Sequence, residues 1–233
     1  MKFQLEIIPV YDAWKENSGC PLCSLMSRME KKHVEYFLGN SVMNPETRVE
    51  VNKTGFCPKH FSMLPEAGHP HHLGLICHTH IQQRKKEIEK KLSALKRNTS
   101  VKTVSDFNKF ITISTDSCMI CDSLKTDIQR YTYTAVILFF REKEFRDLFI
   151  NSSSLCIRHI SDLLVTASEI LKKKELKEFI NAAADTAVKQ MNLLENEILN
   201  YTRVFDPQYD GMDLKNNSSA HKKVIEFLSG IKL

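Results

Sequence analysis

The sequence predicts an all-α protein of two homologous helical-hairpin halves, each clamped by a Cys3His metal site and followed by longer bundle helices. Three observations predict it. The 233 residues include only 7 Gly and 7 Pro, too few turn residues for the many short strands of a sandwich or barrel. Apolar residues recur three and four apart through most of the chain, the spacing of a helix face. A pattern of C-x-x-C followed by C-x-x-H is written twice, as Cys20, Cys23, Cys57 and His60 and again as Cys118, Cys121, Cys156 and His159. A hydrophobic share of 42% supplies a core and excludes a disordered chain.

The gaps between half-motifs, 33 and 34 residues, differ by one. Asn52 and Asn151 each stand five residues before the third cysteine, and Phe56 and Leu155 stand just before it. Such agreement reads as an internal duplication with a linker near Asn98 to Thr103. The expected division is a first repeat with its following helix over 1–97, a second with its long helix over 104–202, and a tail with a short helix over 203–233. Cys77 has no counterpart.

Element by element, Leu22, Leu25, Met26, Met29, His33, Tyr36 and Phe37 predict an outbound helix ending near Gly39 and Asn40. Asn44-Pro45 restarts a shorter helix, Glu46 to Val51, and Gly55 turns the chain into Cys57. A helix out and a helix back is expected to return Cys57 and His60 to Cys20 and Cys23. In the second copy Leu124, Ile128, Tyr131, Ala135 and Leu138, then Phe145, Leu148 and Phe149, do the same. His72 to Leu95 and Glu175 to Tyr201 are longer helices; the apolar stripe of the latter suits a bundle core. Phe205 to Ser218 is turn-rich, and a last short helix runs from about Ser219 to Leu228 and closes at Gly230.

Pro follows Cys20 and Cys57, and Pro favours the first position of a helix. The sulfurs therefore stand at helix N-termini, where free N–H groups and the helix dipole favour thiolates. Three thiolates and one imidazole suit tetrahedral Zn²⁺ and fill its coordination sphere, so two structural zinc sites are expected. Iron–sulfur clusters are the alternative, without the compact spacing of bacterial ferredoxins. A thioredoxin-type dithiol lacks its βαβ setting and leaves His60 and His159 unexplained. Attachment of c-type haem needs His where Ser24 and Asp122 stand.

His69, His71, His72, Cys77, His78 and His80 crowd one stretch of the first copy with no carboxylate among them, and read as surface or capping residues before a second metal site. Lys85, Lys86, Lys90, Lys91, Lys96 and Arg97 alternate with Glu87 and Glu89, the pattern of a solvated helix face. That mixture and a net charge of only +5 disfavour nucleic acid. The apolar run Ala135 to Phe140 falls far short of the roughly 20 residues of a membrane helix. Met1 to Lys15 lacks the apolar core of a signal peptide, which points to the cytoplasm, where thiols stay reduced. No nucleophile elbow, phosphate loop, dinucleotide fingerprint or H-E-x-x-H is present, which leans against an enzyme.

Cys20-Pro21-Leu22-Cys23, Gly55-Phe56-Cys57-Pro58-Lys59-His60, Cys118-Met119-Ile120-Cys121, Leu155-Cys156-Ile157-Arg158-His159 and Tyr201-Thr202-Arg203-Val204-Phe205-Asp206 form a set. With it the chain resembles, over nearly its whole length, an uncharacterised bacterial family catalogued as domain of unknown function 6062. The resemblance implies a small intracellular bacterial protein with no assigned activity, and it supplies no substrate or catalytic residue. Ser154 departs from the glycine that the family pattern places before Leu155, and the histidine cluster is peculiar to this chain. The expected function is a metal-stabilised interaction or regulatory module with a protein partner. The alternative is a redox protein, either a zinc-thiolate oxidant sensor or an iron–sulfur electron carrier.

Overall fold

Local turn chemistry decides where helices start and stop in the computed structural model, which describes residues 6–16, 19–152, 155–209 and 219–231. Among the described residues there are eleven α-helices and no strand. They are α1 (Ile7–Lys15), α2 (Pro21–Leu38), α3 (Pro45–Thr54), α4 (Pro58–Met63), α5 (Pro70–Arg97), α6 (Val101–Asp116), α7 (Met119–Arg141), α8 (Lys143–Asn151), α9 (Ile157–Ile170), α10 (Lys173–Arg203) and α11 (Ala220–Ser229). Asn44 caps α3 by accepting from the Glu46 and Thr47 amides, with Pro45 in the first turn. Ser100 and Thr103 form a reciprocal capping box at the start of α6. Gly230, in the left-handed region at φ 69°, ends α11.

The helices form two compact units, and these do not coincide with the sequence repeats. One comprises residues 1–27 and 126–233, the other residues 28–125. The boundaries fall inside α2 and α7. In the first unit the core is aromatic: Phe139 meets Phe149 and Phe179 edge-on at centroid distances of 5.3 and 5.1 Å, and Trp14 lies 5.3 Å from Phe145. α10 packs on α8, α9 and α11. In the second unit Val34, Phe37, Leu38, Val51, Phe56 and Leu64 share a core with Ile76 and Ile120.

Two expectations need correction. The linker is only residues 98–100, because the capping box starts α6 at Val101; α6 and α1 are helices beyond those the apolar spacing predicts. More consequentially, the hairpins do not close on themselves. α2 has 18 residues and α3 has 10; at about 1.5 Å rise per residue the outbound helix spans about 27 Å and the return about 15 Å. α7 and α8, with 23 and 9 residues, are more unequal still. The expected final helix and its Gly230 stop are present. Ser154 and residues 210–218 of the turn-rich tail lie outside the described residues.

Candidate metal centres

Each cysteine half-motif opens a helix through the same hydrogen bond. The carbonyls of Cys20, Cys57, Cys118 and Cys156 accept from the amides of Ser24, Phe61, Asp122 and Ile160 at 2.9–3.0 Å. Cys57 and Cys156 are the residues immediately before α4 and α9. The second ligand of each half-motif follows three residues later, so both side chains project from the same face of the first turn.

All eight residues singled out in the sequence gather into two groups of four, but the pairing is exchanged between the copies. Cys20 and Cys23 of the first copy meet Cys156 and His159 of the second; Cys57 and His60 meet Cys118 and Cys121. The expected grouping of Cys20 and Cys23 with Cys57 and His60, and of Cys118 and Cys121 with Cys156 and His159, is therefore wrong, for the reason that the unequal helices gave. Each group lies within one compact unit.

In the first centre His159 Nδ1 lies 3.4, 3.3 and 3.1 Å from the sulfurs of Cys20, Cys23 and Cys156, and the Cys23 and Cys156 sulfurs are 3.6 Å apart. In the second, His60 Nδ1 lies 3.3, 3.1 and 3.4 Å from Cys57, Cys118 and Cys121, with Cys57 and Cys121 sulfurs 3.8 Å apart. A tetrahedral ion bound at about 2.3 Å to sulfur and about 2.0 Å to nitrogen sets donor-to-donor edges of roughly 3.5–3.8 Å. The two quartets approximate those edges, the sulfur–nitrogen ones being a few tenths of an ångström tighter. None of the cysteines is in a disulfide. Each centre can hold a metal ion, and the donor set fits a four-coordinate one.

Protonation is distributed unevenly within each quartet. Hydrogen bonds from Cys20 and Cys23, outweighing burial, push Cys156 far below the ordinary thiol range, while Cys23 is pushed far up by its bonds to Cys156 and Cys20 and by burial. Burial would lower the His159 pKa, but the bonds to Cys156 and Cys20 dominate and raise it to about 9. At Cys57 burial works upward and is outweighed by the amides of His60 and Lys59 and by Cys118 and Cys121, leaving the thiol below its ordinary range. Burial and the neighbouring sulfurs raise Cys121 to about 12. A metal ion would displace the protons held on Cys23, Cys121 and His159.

Outside the quartets, Glu30 Oε1 lies 2.9 Å from His60 Nε2 and also meets the Lys59 ammonium. Burial raises the Glu30 pKa, yet those two partners hold it below the usual carboxylate range. A carboxylate on the far nitrogen fixes the tautomer with Nδ1 free for an ion, the usual support of a ligand histidine. The Gly230 carbonyl stands 3.5 Å from Cys23 Sγ. Gly55, at φ 76°, carries the chain into Cys57; a Cβ there would come within 2.7 Å of the His80 ring, and its carbonyl accepts from the Met119 amide at 3.1 Å. His80 Nδ1 lies 3.1 Å from the Asn52 carbonyl, and His72 Nδ1 2.6 Å from that of Leu38. These histidines are tied to backbone, and the His69 to His80 cluster assembles no metal quartet among the described residues. The sequence carried no signal for Glu30 or the Gly230 carbonyl, since both act across long chain separations.

The chain matches a family model described as a family of unknown function (DUF6062) over residues 1–233, and belongs to that family. It is similar to an uncharacterized 23.9 kDa protein in the xynA 3' region of Caldicellulosiruptor sp. (strain Rt8B.4), with 24% identity over 189 residues, 78% of this chain and 87% of that protein. No solved structure matches the chain. No helix among the described residues is long and apolar enough to cross a membrane.

Proposed function

We propose that this member of the DUF6062 family is a zinc-stapled helical protein of the bacterial cytoplasm that acts by binding a protein partner rather than by turning over a substrate. The observation that carries the reading is the donor count. Three sulfurs and one imidazole nitrogen surround each centre at tetrahedral spacing, and a metal so surrounded has no position left for a water or substrate. The ions then contribute folding energy, and the helical surfaces are what remains to act.

The exposure of Cys121 supports a second reading, an oxidant sensor at the second centre. A peroxide would take two electrons from the Cys57 and Cys121 thiolates, forming a disulfide with loss of the ion and release of two hydroxides. Elemental analysis with a visible spectrum, on protein purified anaerobically without a His-tag, tests the metal. Two zinc per chain and no visible band are expected; a band that bleaches on reduction would replace zinc with an iron–sulfur centre. A peroxide titration that released metal reversibly at low oxidant, with no binding partner found, would favour the sensor.

A further inference from the structure

From residue 77 to residue 117 no residue is buried, although α5 and α6 occupy most of that span. The flanking residues Ile76 and Cys118 both belong to the second unit's core. Two helices alone bury at most one seam, and a third is needed before apolar side chains leave solvent. This segment also carries the chain's net charge. It holds nine Lys or Arg against four Asp or Glu, and with 33 and 28 in the whole chain the other 192 residues hold 24 of each.

Two contacts fix which faces of α5 and α6 meet. Arg84 donates to Ser114 Oγ at 3.3 Å, and the Lys91 ammonium sits 5.3 Å from the Phe110 ring centre. Counting at about 100° per residue from those contacts places Ile81, Leu92 and Val104 together on one flank of the pair. They are 61, 42 and 54% exposed. Ile88 and Ile111 are half-buried, and the same count places them on this flank beside the other three. Lys85 and Lys96 follow Ile81 and Leu92 by four residues each and so edge the same flank.

We infer that this flank of the α5–α6 pair is the docking surface, and that its occupant is an amphipathic helix of a partner protein, with an apolar stripe bordered by carboxylates. The apolar flank asks for a helix that completes a three-helix bundle. The lysine edge along α5, where Glu89 lies 3.8 Å from Lys85, keeps an excess of positive charge and asks for further acidic neighbours. A second copy of this chain would bring the same excess of positive charge and be repelled. Nucleic acid would leave Ile81, Leu92 and Val104 facing phosphates. The inference rests on the interaction-module reading and names its partner.

The test uses the full-length, metal-loaded protein and a fluorescent synthetic peptide of about four heptads, with Leu at the a and d positions and Glu beside them. Anisotropy is expected to show binding that weakens about tenfold or more in Lys85→Glu/Lys96→Glu and again in Leu92→Ser/Val104→Ser, and that salt suppresses. All four side chains are exposed, so unchanged helicity and metal content certify the variants. A matched peptide with Lys in place of Glu is expected not to bind. The assignment is overturned if the Glu peptide does not bind, if both variants bind it as tightly as the parent, or if duplex DNA or phosphatidylglycerol vesicles bind instead and lose to the same variants. Equal binding by the variants would leave the interaction reading standing, whereas reversible peroxide release of metal with no probe bound would remove both.

Discussion

The two centres share a donor set and an exchanged pairing, yet differ in what covers them. In the first, Cys20, Cys156 and His159 are buried, and the turn after α11 places a carbonyl over Cys23. In the second, His60 and Cys118 are buried while Cys121 is exposed, and support comes from Glu30 on the histidine's outer nitrogen. The same coordination chemistry can thus be closed to solvent by packing or held open and steadied by a charged neighbour. The first arrangement favours permanence, and the second permits exchange.

The largest expected effect comes from breaking each centre in turn. Cys156→Ser and Cys57→Ser should each lose one metal equivalent by elemental analysis. Both should destabilise by more than about 4 kcal/mol, beyond most single substitutions, with Cys156→Ser the more severe because that sulfur is sealed in. Equal thermal midpoints for parent and Cys57→Ser would refute a structural role at the second centre.

Next in size is the difference in lability. With a chelator or peroxide, metal should leave in two phases. Cys121→Ser should abolish the fast one, and a single phase in the parent would erase the contrast between the centres.

Acidity sharpens the comparison further. His159, raised to about 9, must lose a proton to bind an ion, so affinity at the first centre should fall about tenfold for each pH unit below that value from this group alone. The metal-free protein runs the opposite way. A raised folded pKa stabilises fully below the unfolded value of about 6.5, and that contribution disappears as pH rises through about 9. Metal-dependent gain in melting temperature should therefore widen between those values, as calorimetry at several pH values can show.

Glu30→Gln should weaken metal at the second centre alone by roughly 10–100-fold, the usual consequence of losing a histidine's carboxylate partner. Competition with a chromophoric chelator reads this directly, and equal loss at both centres would contradict the assignment. Smallest is Cys77→Ser, expected within about 0.5 kcal/mol of parent because the side chain is exposed and belongs to neither quartet.

The donors were legible from spacing because three residues of separation in a helix's first turn put both side chains on one face. Their partners were not, because the two copies offer identical half-motifs. Closing Cys23 on Cys57 spans 34 residues and on Cys156 spans 133; the longer loop costs only about 1.2 kcal/mol more. Packing easily exceeds that sum. The lengths of α2 and α3 decide the matter: the return helix, expected to end at Val51, runs three residues further to Thr54 and is still far shorter than the outbound one. The helix start at Asn44-Pro45 and the turn at Gly55 are legible because both are set by local chemistry. The start of α6 carries its own signal in Ser100 and Thr103, both of which lie within the expected linker.

The exchanged pairing also sets a timetable for synthesis. By the time His60 has been made, a growing chain already carries Cys20, Cys23, Cys57 and His60, a complete donor set of the wrong combination. The correct partners arrive only with Cys121, 61 residues later, roughly 3–12 s at ordinary elongation rates, and the first centre waits until His159. An ion captured in that interval would tie the first copy into a closed loop that must be undone before either centre can form. Metal supplied during refolding should therefore slow recovery, and metal supplied after the helices have paired should not.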